Sequence, residues 1–170
     1  MRRVGQCRDR REQRRNDGEQ HAERRGQQRS RPRADRAIVL AATAPSSRGG
    51  PGYDQQLIGR ISSAAGVPAT TASTAQLRAM AALGVHRIVI AAPWSDAVNQ
   101  SAAAFIEASG YTVLDHRAMG LVANLDIGRL DPATALGLGR AIDRVDADAV
   151  MLACGNWMTL DITDSLEQAI

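Results

Sequence analysis

A thiol, a glycine and a strand end meet in one stretch of this chain, Ala149-Val150-Met151-Leu152-Ala153-Cys154-Gly155. The apolar run predicts a short buried strand, Ala149 to Ala153, that stops on Cys154 and Gly155. A helix start is predicted beyond it, with Asp164 three residues ahead of Glu167 in the manner of a capping box. A cysteine at the C-terminal tip of a strand, facing a helix start, occupies the place where α/β proteins bind ligands. Backbone N–H groups and the positive end of a helix dipole would both favour a thiolate there. Free cysteine is also among the most buried residue types and commonly does nothing but pack.

Two further stretches end in loops that could face the same ligand. Ala37-Ile38-Val39-Leu40-Ala41-Ala42 reads as a strand buried on both faces, followed by the small-residue loop from Thr43 to Gly52. That loop carries hydroxyls on Thr43, Ser46 and Ser47 but has no Gly-Lys-Ser/Thr ending of a phosphate loop. Arg87-Ile88-Val89-Ile90-Ala91-Ala92 is a second buried strand, breaking at Pro93-Trp94-Ser95-Asp96. Tyr111 to Leu114 reads as a third, and His116 to Gly128 as loop.

Helical spacing separates these strands. One helix is predicted from Asp54 to Ala65, stopped by Gly66, and another, capped by Ser73 or Thr74, runs to Leu83 and is stopped by Gly84. An extended piece, Val67 to Thr71, lies between them. Further helices run from Ala97 to Ser109 and, opened by Asp131-Pro132, to about Val145. Strands alternating with helices define an α/β fold with a mostly parallel sheet flanked by helices. In such a sheet the loops at Thr43, Trp94 and Cys154 emerge on one edge, which makes them a single candidate site.

Composition narrows the function classes. Hydrophobic residues make up 44% of the 170 positions, and no apolar run is long enough for a membrane helix. Aromatic content is only 3%, too little for a base-stacking surface. The cysteines are Cys7 and Cys154 and the histidines His21, His86 and His116, so neither a disulfide framework nor metal-ligand spacing is evident. A reducing cytoplasm is the expected compartment.

All 21 basic residues are arginine, and the net charge of +3 hides an asymmetry. Residues 1–36 carry 13 Arg against 6 Asp/Glu, whereas residues 37–170 carry 8 against 12. The Arg/Gln-rich stretch 1–36 has no hydrophobic period and is expected to be a disordered tail ahead of the α/β core at 37–170. A misassigned start would produce the same composition. Read as a basic arm it would bind nucleic acid, but its interleaved acids and lack of aromatics make that partner the weaker expectation.

Val67-Pro68-Ala69-Thr70-Thr71-Ala72-Ser73-Thr74-Ala75, Ala82-Leu83-Gly84-Val85-His86-Arg87-Ile88, Ala92-Pro93-Trp94-Ser95-Asp96-Ala97-Val98-Asn99 and Cys154-Gly155-Asn156-Trp157-Met158-Thr159-Leu160-Asp161 together resemble the aspartate/glutamate racemase superfamily. Within it, the resemblance is to arylmalonate decarboxylases and maleate cis–trans isomerases, over about residues 37–170. It implies two similar α/β halves around a site that works without metal or organic cofactor on a small carboxylic acid. Racemases of that superfamily use one thiol from each half, whereas the decarboxylases keep the second alone and use it to protonate an enediolate.

By the resemblance, Cys154 is that catalytic proton donor, Thr43 an oxyanion-pocket hydroxyl and Gly155 a backbone donor. The loop where a first thiol would lie reads Ala41-Ala42-Thr43-Ala44-Pro45, which argues against two-thiol racemisation. Ala44 stands where the family has a serine, so Ser46 or Ser47 would have to replace its hydroxyl. Trp94 stands where the family has a pocket tyrosine; its indole can donate but not accept. Trp157 suits either an apolar pocket wall or the core.

The superfamily has a strand and helix before the stretch matching Ala37 and further strands beyond that matching Ile170, so the chain reads as truncated at both ends. Open sheet edges and exposed apolar faces would then leave the folded fragment marginal, oligomeric or inactive. The alternatives are an amino-acid or hydantoin racemase and, in another class, an inactive fragment with a nucleic-acid-binding arm.

Overall fold

The computed structural model describes residues 36–170; the Arg-rich tail expected over 1–36 lies outside the described residues, Arg36 apart. In chain order the elements are β1 (Ile38–Leu40), α1 (Thr43–Ser47), α2 (Tyr53–Ala65), β2 (Ala69–Thr71), α3 (Ala72–Leu83), β3 (Arg87–Ala92) and α4 (Asp96–Ala108). They continue with β4 (Thr112–Ala118), α5 (Asn124–Ile127), α6 (Pro132–Ile142), β5 (Ala149–Leu152), a 3-10 turn (Leu160–Ile162) and α7 (Thr163–Glu167).

The strands pair only in parallel, as α/β alternation requires, but in two sheets. β1 pairs with β2, and β3 lies between β4 and β5. β3 is the buried centre: Ile88 to Ala92 are at most 1% exposed. Burying its isoleucines and valine is worth about 1.5–3 kcal/mol each. Helices cover both faces of this sheet. Ala102, Ala103, Phe105 and Ile106 of α4 pack on Ile88, Ile90 and Ala92. Ile142 of α6 packs on Val89 and Ala91. Among the described residues, no helix is long and apolar enough to cross a membrane.

Local signals explain most boundaries. α2 and α3 stop at Gly66 and Gly84, whose φ angles of 65° and 69° suit the residue without a Cβ. Asp131 caps α6 by accepting the Ala133 N–H at 2.8 Å, ahead of Pro132. α3 is capped by neither Ser73 nor Thr74 but by Thr71, whose hydroxyl accepts the Thr74 N–H at 3.1 Å.

Several expectations are corrected. β1 is not buried on both faces: Ile38 is 39% and Val39 58% exposed, because β2 is its only partner among the described strands. β5 is half-buried for the same reason, as an edge partner of β3. The loop after β1 starts as the short helix α1, whose Ser46 and Ser47 hydroxyls bond back to Thr43 O. β4 runs on to Ala118, α5 interrupts the expected loop, and α6 ends at Ile142. Asp164 forms no capping box; it lies inside α7, whose cap Ile162 has no side-chain bond. The 3-10 turn separates that helix from the cysteine.

One irregularity bears on the site. The β3–β4 register steps from Ile88↔Val113 to Val89↔Asp115, a bulge that leaves Leu114 over. From there on the side chains of β4 change faces, so His116, opposite Ile90, comes to the α4 side.

Candidate active site

The ends of β1, β3 and β5 open into one cleft of about 810 Å³. Thr43 and Ala44 line it from the start of α1, Trp94, Ser95 and Val98 from the β3–α4 junction, and Cys154, Gly155 and Asn156 from the loop after β5. The three loops read from the sequence as one site are thus brought together. An apolar part of the wall comes from Leu121, Val122, Leu125 and Ile127, in and around the segment expected to be loop. Arg129 at this wall is the single charged side chain among the described lining residues. It makes a loose pair with Asp126, at 3.8 Å and largely exposed.

Cys154 is half-buried, and its backbone φ is 142°, the only positive value for a non-glycine residue among those described. Such a conformation costs about 1–3 kcal/mol and survives where the surroundings dictate it. Its neighbours supply donors. The Gly155 N–H has no hydrogen-bond partner among the described residues. Thr43 is 8% exposed and its hydroxyl has no partner among the described residues, none of which has a buried side-chain polar atom without one. The Thr43 hydroxyl is therefore not sealed off, on a residue that lines the cleft. The lining thus offers a thiol, a hydroxyl and a backbone N–H together with an apolar surface.

Ser46 does not join this group. It is wholly buried, and its hydroxyl is occupied by Ala42 O at 2.8 Å, Thr43 O at 3.0 Å and the Ser73 hydroxyl at 2.7 Å. Ser47 likewise bonds to Thr43 O, at 3.2 Å, so neither hydroxyl replaces the one absent at Ala44. Trp94 lines the cleft, but its indole N–H already donates to Asn99 Oδ1 at 3.1 Å. Trp157 is core: it is 3% exposed, packs with Ile127, Ala135 and Ile162, and donates to the Thr134 hydroxyl at 3.3 Å.

Asn156 is a lining residue to which the sequence reading gave no role. Its amide donates to Asn124 O at 2.6 Å, tying the cysteine loop to α5. A Cβ on Gly128 would stand 3.2 Å from that amide, so a larger residue there would make the Asn156 side chain shift by a few tenths of an ångström. Among the described residues, no three His, Cys, Asp or Glu side chains gather as metal ligands.

A sequence model of arylmalonate decarboxylase matches residues 21–170. The chain belongs to the arylmalonate decarboxylase family. The Bordetella bronchiseptica arylmalonate decarboxylase is 33% identical over 135 residues, covering 78% of this chain and 56% of that protein. The Geobacillus stearothermophilus maleate isomerase is 28% identical over 109 residues, or 61% of this chain and 43% of the other. A liganded double mutant of arylmalonate decarboxylase superposes with a TM-score of 0.74 at 32% identity, covering 78% of this chain and 57% of that one. A maleate cis–trans isomerase from Nocardia farcinica has the same fold, with a TM-score of 0.74 at 20% identity over 78% of this chain and 56% of its own. The chain therefore spans about half the length of the curated relatives it matches. Those relatives are enzymes, decarboxylase in one case and isomerase in the other, and the parallel α/β arrangement is common to them.

Proposed function

We propose that this chain carries the thiol side of a cytoplasmic, cofactor-free lyase or isomerase acting on a small carboxylic acid. Cys154 delivers the proton to an enediolate-type intermediate. The observation that carries this reading is the strained Cys154 at a cleft also lined by Thr43 and by Gly155, whose N–H has no partner among the described residues.

In the decarboxylation, the bond between the α-carbon and one carboxyl breaks, and carbon dioxide leaves without the bonding pair. The pair passes into the remaining carboxylate to give an enediolate. The Thr43 hydroxyl and the Gly155 N–H donate to its oxygens; one well-placed donor is worth about 2.7–4 kcal/mol. The Cys154 thiol then protonates the α-carbon, and the thiolate recovers its proton from solvent. The apolar wall at Leu121, Val122 and Leu125 would hold the substituent on that carbon. Racemisation by two thiols is less well supported, since Cys154 is the only thiol among the described lining residues.

The test is turnover of an arylmalonate and of maleate by the full chain in deuterium oxide. One solvent deuterium is expected at the α-carbon of the decarboxylated product. Cys154→Ser should lower turnover by about 10²–10⁴-fold, the usual range for a lost general acid. Full turnover by Cys154→Ser would exclude the thiol as the donor.

A further inference from the structure

We propose that Asn99 positions Trp94 in the cleft wall, and that protonation of His116 at Nδ1 disturbs this contact. Asn99 is fully buried on α4. Its Oδ1 accepts from Trp94 Nε1 at 3.1 Å, and its Nδ2 lies 3.4 Å from His116 Nδ1. Chemistry fixes the direction of this chain. An indole nitrogen can only donate, so the amide oxygen must face Trp94 and the amide nitrogen must face His116. An amide nitrogen can only donate in turn, so His116 Nδ1 must accept, and the imidazole is the neutral tautomer with its proton on Nε2.

Protonation breaks that order. With Nδ1–H present, two donors face each other. Turning the Asn99 amide over would satisfy the imidazolium but set an amide N–H against the indole N–H. No orientation of Asn99 serves both neighbours, and a buried donor left without an acceptor is costly. His116 is exposed, so solvent protons reach it, while Trp94 is 6% exposed and lines the cleft. The β4 bulge is what brings His116 round to the Asn99 side.

Charged groups on the surrounding elements include Asp115, whose Oδ1 accepts the His116 backbone N–H at 2.8 Å. α4 carries Asp96, one turn before Asn99, and Glu107. On β4, Asp115 and Arg117 pair with each other at 3.6 Å and sit opposite Val89 and Ala91, on the α6 side. Arg87 of β3 lies at the far end, opposite Thr112, and α6 carries Arg140. Among the described residues the His116 imidazole makes no ion pair.

The experiment is nitrogen-15 NMR of the full chain from about pH 8 to about pH 5, bracketing the ordinary histidine value of about 6.5. The Trp94 indole signal is assigned by its persistence in Trp157→Phe. Neutral His116 is expected as the Nε2–H tautomer, with the Trp94 N–H shifting at the same midpoint as the His116 ring. In His116→Gln, which keeps an acceptor but does not titrate, the Trp94 signal should stay flat. In Asn99→Asp, a carboxylate accepts from both neighbours, and the His116 midpoint should rise by about 1 unit or more. An Nδ1–H tautomer, or a Trp94 signal indifferent to His116 titration, overturns the proposal, and the parent spectra decide this even should a variant not fold. None of these signals depends on turnover, so the coupling is tested apart from the catalytic reading on which its effect on the reaction rests.

Discussion

The Ala41 carbonyl oxygen stands 3.3 Å from where a Cβ on Gly155 would lie, so the chain leaving β1 and the chain leaving β5 meet at the cleft. Both Thr43 and Cys154 are within two residues of this meeting point. Gly155→Ala would push Ala41 away by a few tenths of an ångström and shift Thr43 relative to the thiol. Misplacement of a reacting group by about 1 Å costs on the order of 10²-fold in rate. A smaller but clear fall in arylmalonate turnover is expected, with the urea midpoint nearly unchanged. Unaltered turnover would mean that the two loop ends need not be in this register.

The backbone of Cys154 makes a prediction that separates stability from chemistry. Relief of its positive φ by glycine is worth about 1–3 kcal/mol. Glycine's extra chain entropy takes back about 0.5–1 kcal/mol. Cys154→Gly should therefore be more stable than Cys154→Ala by on the order of 1 kcal/mol, and both should lose turnover. Urea unfolding of the two variants side by side gives the comparison. Equal stability, or alanine ahead, would show that the conformation at residue 154 is not strained.

What could be read from the sequence follows from how local each signal is. The run Arg87 to Ala92 states its own burial, and the stops at Gly66 and Gly84 are single-residue effects, so β3 and the ends of α2 and α3 were legible. The convergence of Trp94 and Cys154 followed from parallel topology, whereas Thr43 reaches the same cleft from the separate β1–β2 sheet. Burial of β1 depends on which strands lie beside it, and composition cannot report that. Ser46 and Trp94 looked available because a sequence shows donors without their partners, here Ala42, Ser73 and Asn99. The role of His116 rests on a one-residue bulge that no periodicity announces.

Ser46 and Ser73 form a clasp beneath Thr43, and its removal should act on stability. Ser73 bonds to the Ser46 hydroxyl at 2.7 Å and to Thr43 O at 3.3 Å. Ser73→Ala leaves Ser46 its bonds to Ala42 O and Thr43 O, so the cost should be about 0.5–1.5 kcal/mol. Ser46→Ala also removes the acceptor of the Ser73 N–H, a 3.3 Å bond, and should cost more, about 1–3 kcal/mol. Neither should change the affinity for a carboxylate as the loss of a direct contact would. A large rise in KM with unchanged stability in Ser46→Ala would return that serine to the binding residues.

Asp148 sets the last prediction. Its carboxylate accepts the backbone N–H groups of His86 at 2.9 Å and Arg87 at 2.8 Å, clamping the start of β3 to the approach of β5. These two bonds hold its carboxyl below the usual carboxylate range, with His86 the larger cause. A carboxyl depressed in the folded state contributes stability above its unfolded value of about 3.9 and loses it as pH falls through the lower folded value. Asp146, held down by the Arg144 guanidinium, titrates in the same sense and direction. Asp148→Asn should thus lower the urea midpoint at neutral pH and lose part of the parent's decline on acidification below about pH 4. The decline that remains belongs to Asp146 and other carboxylates. Parallel acid limbs for parent and variant would show that the clamp at β3 does not depend on the charge of Asp148.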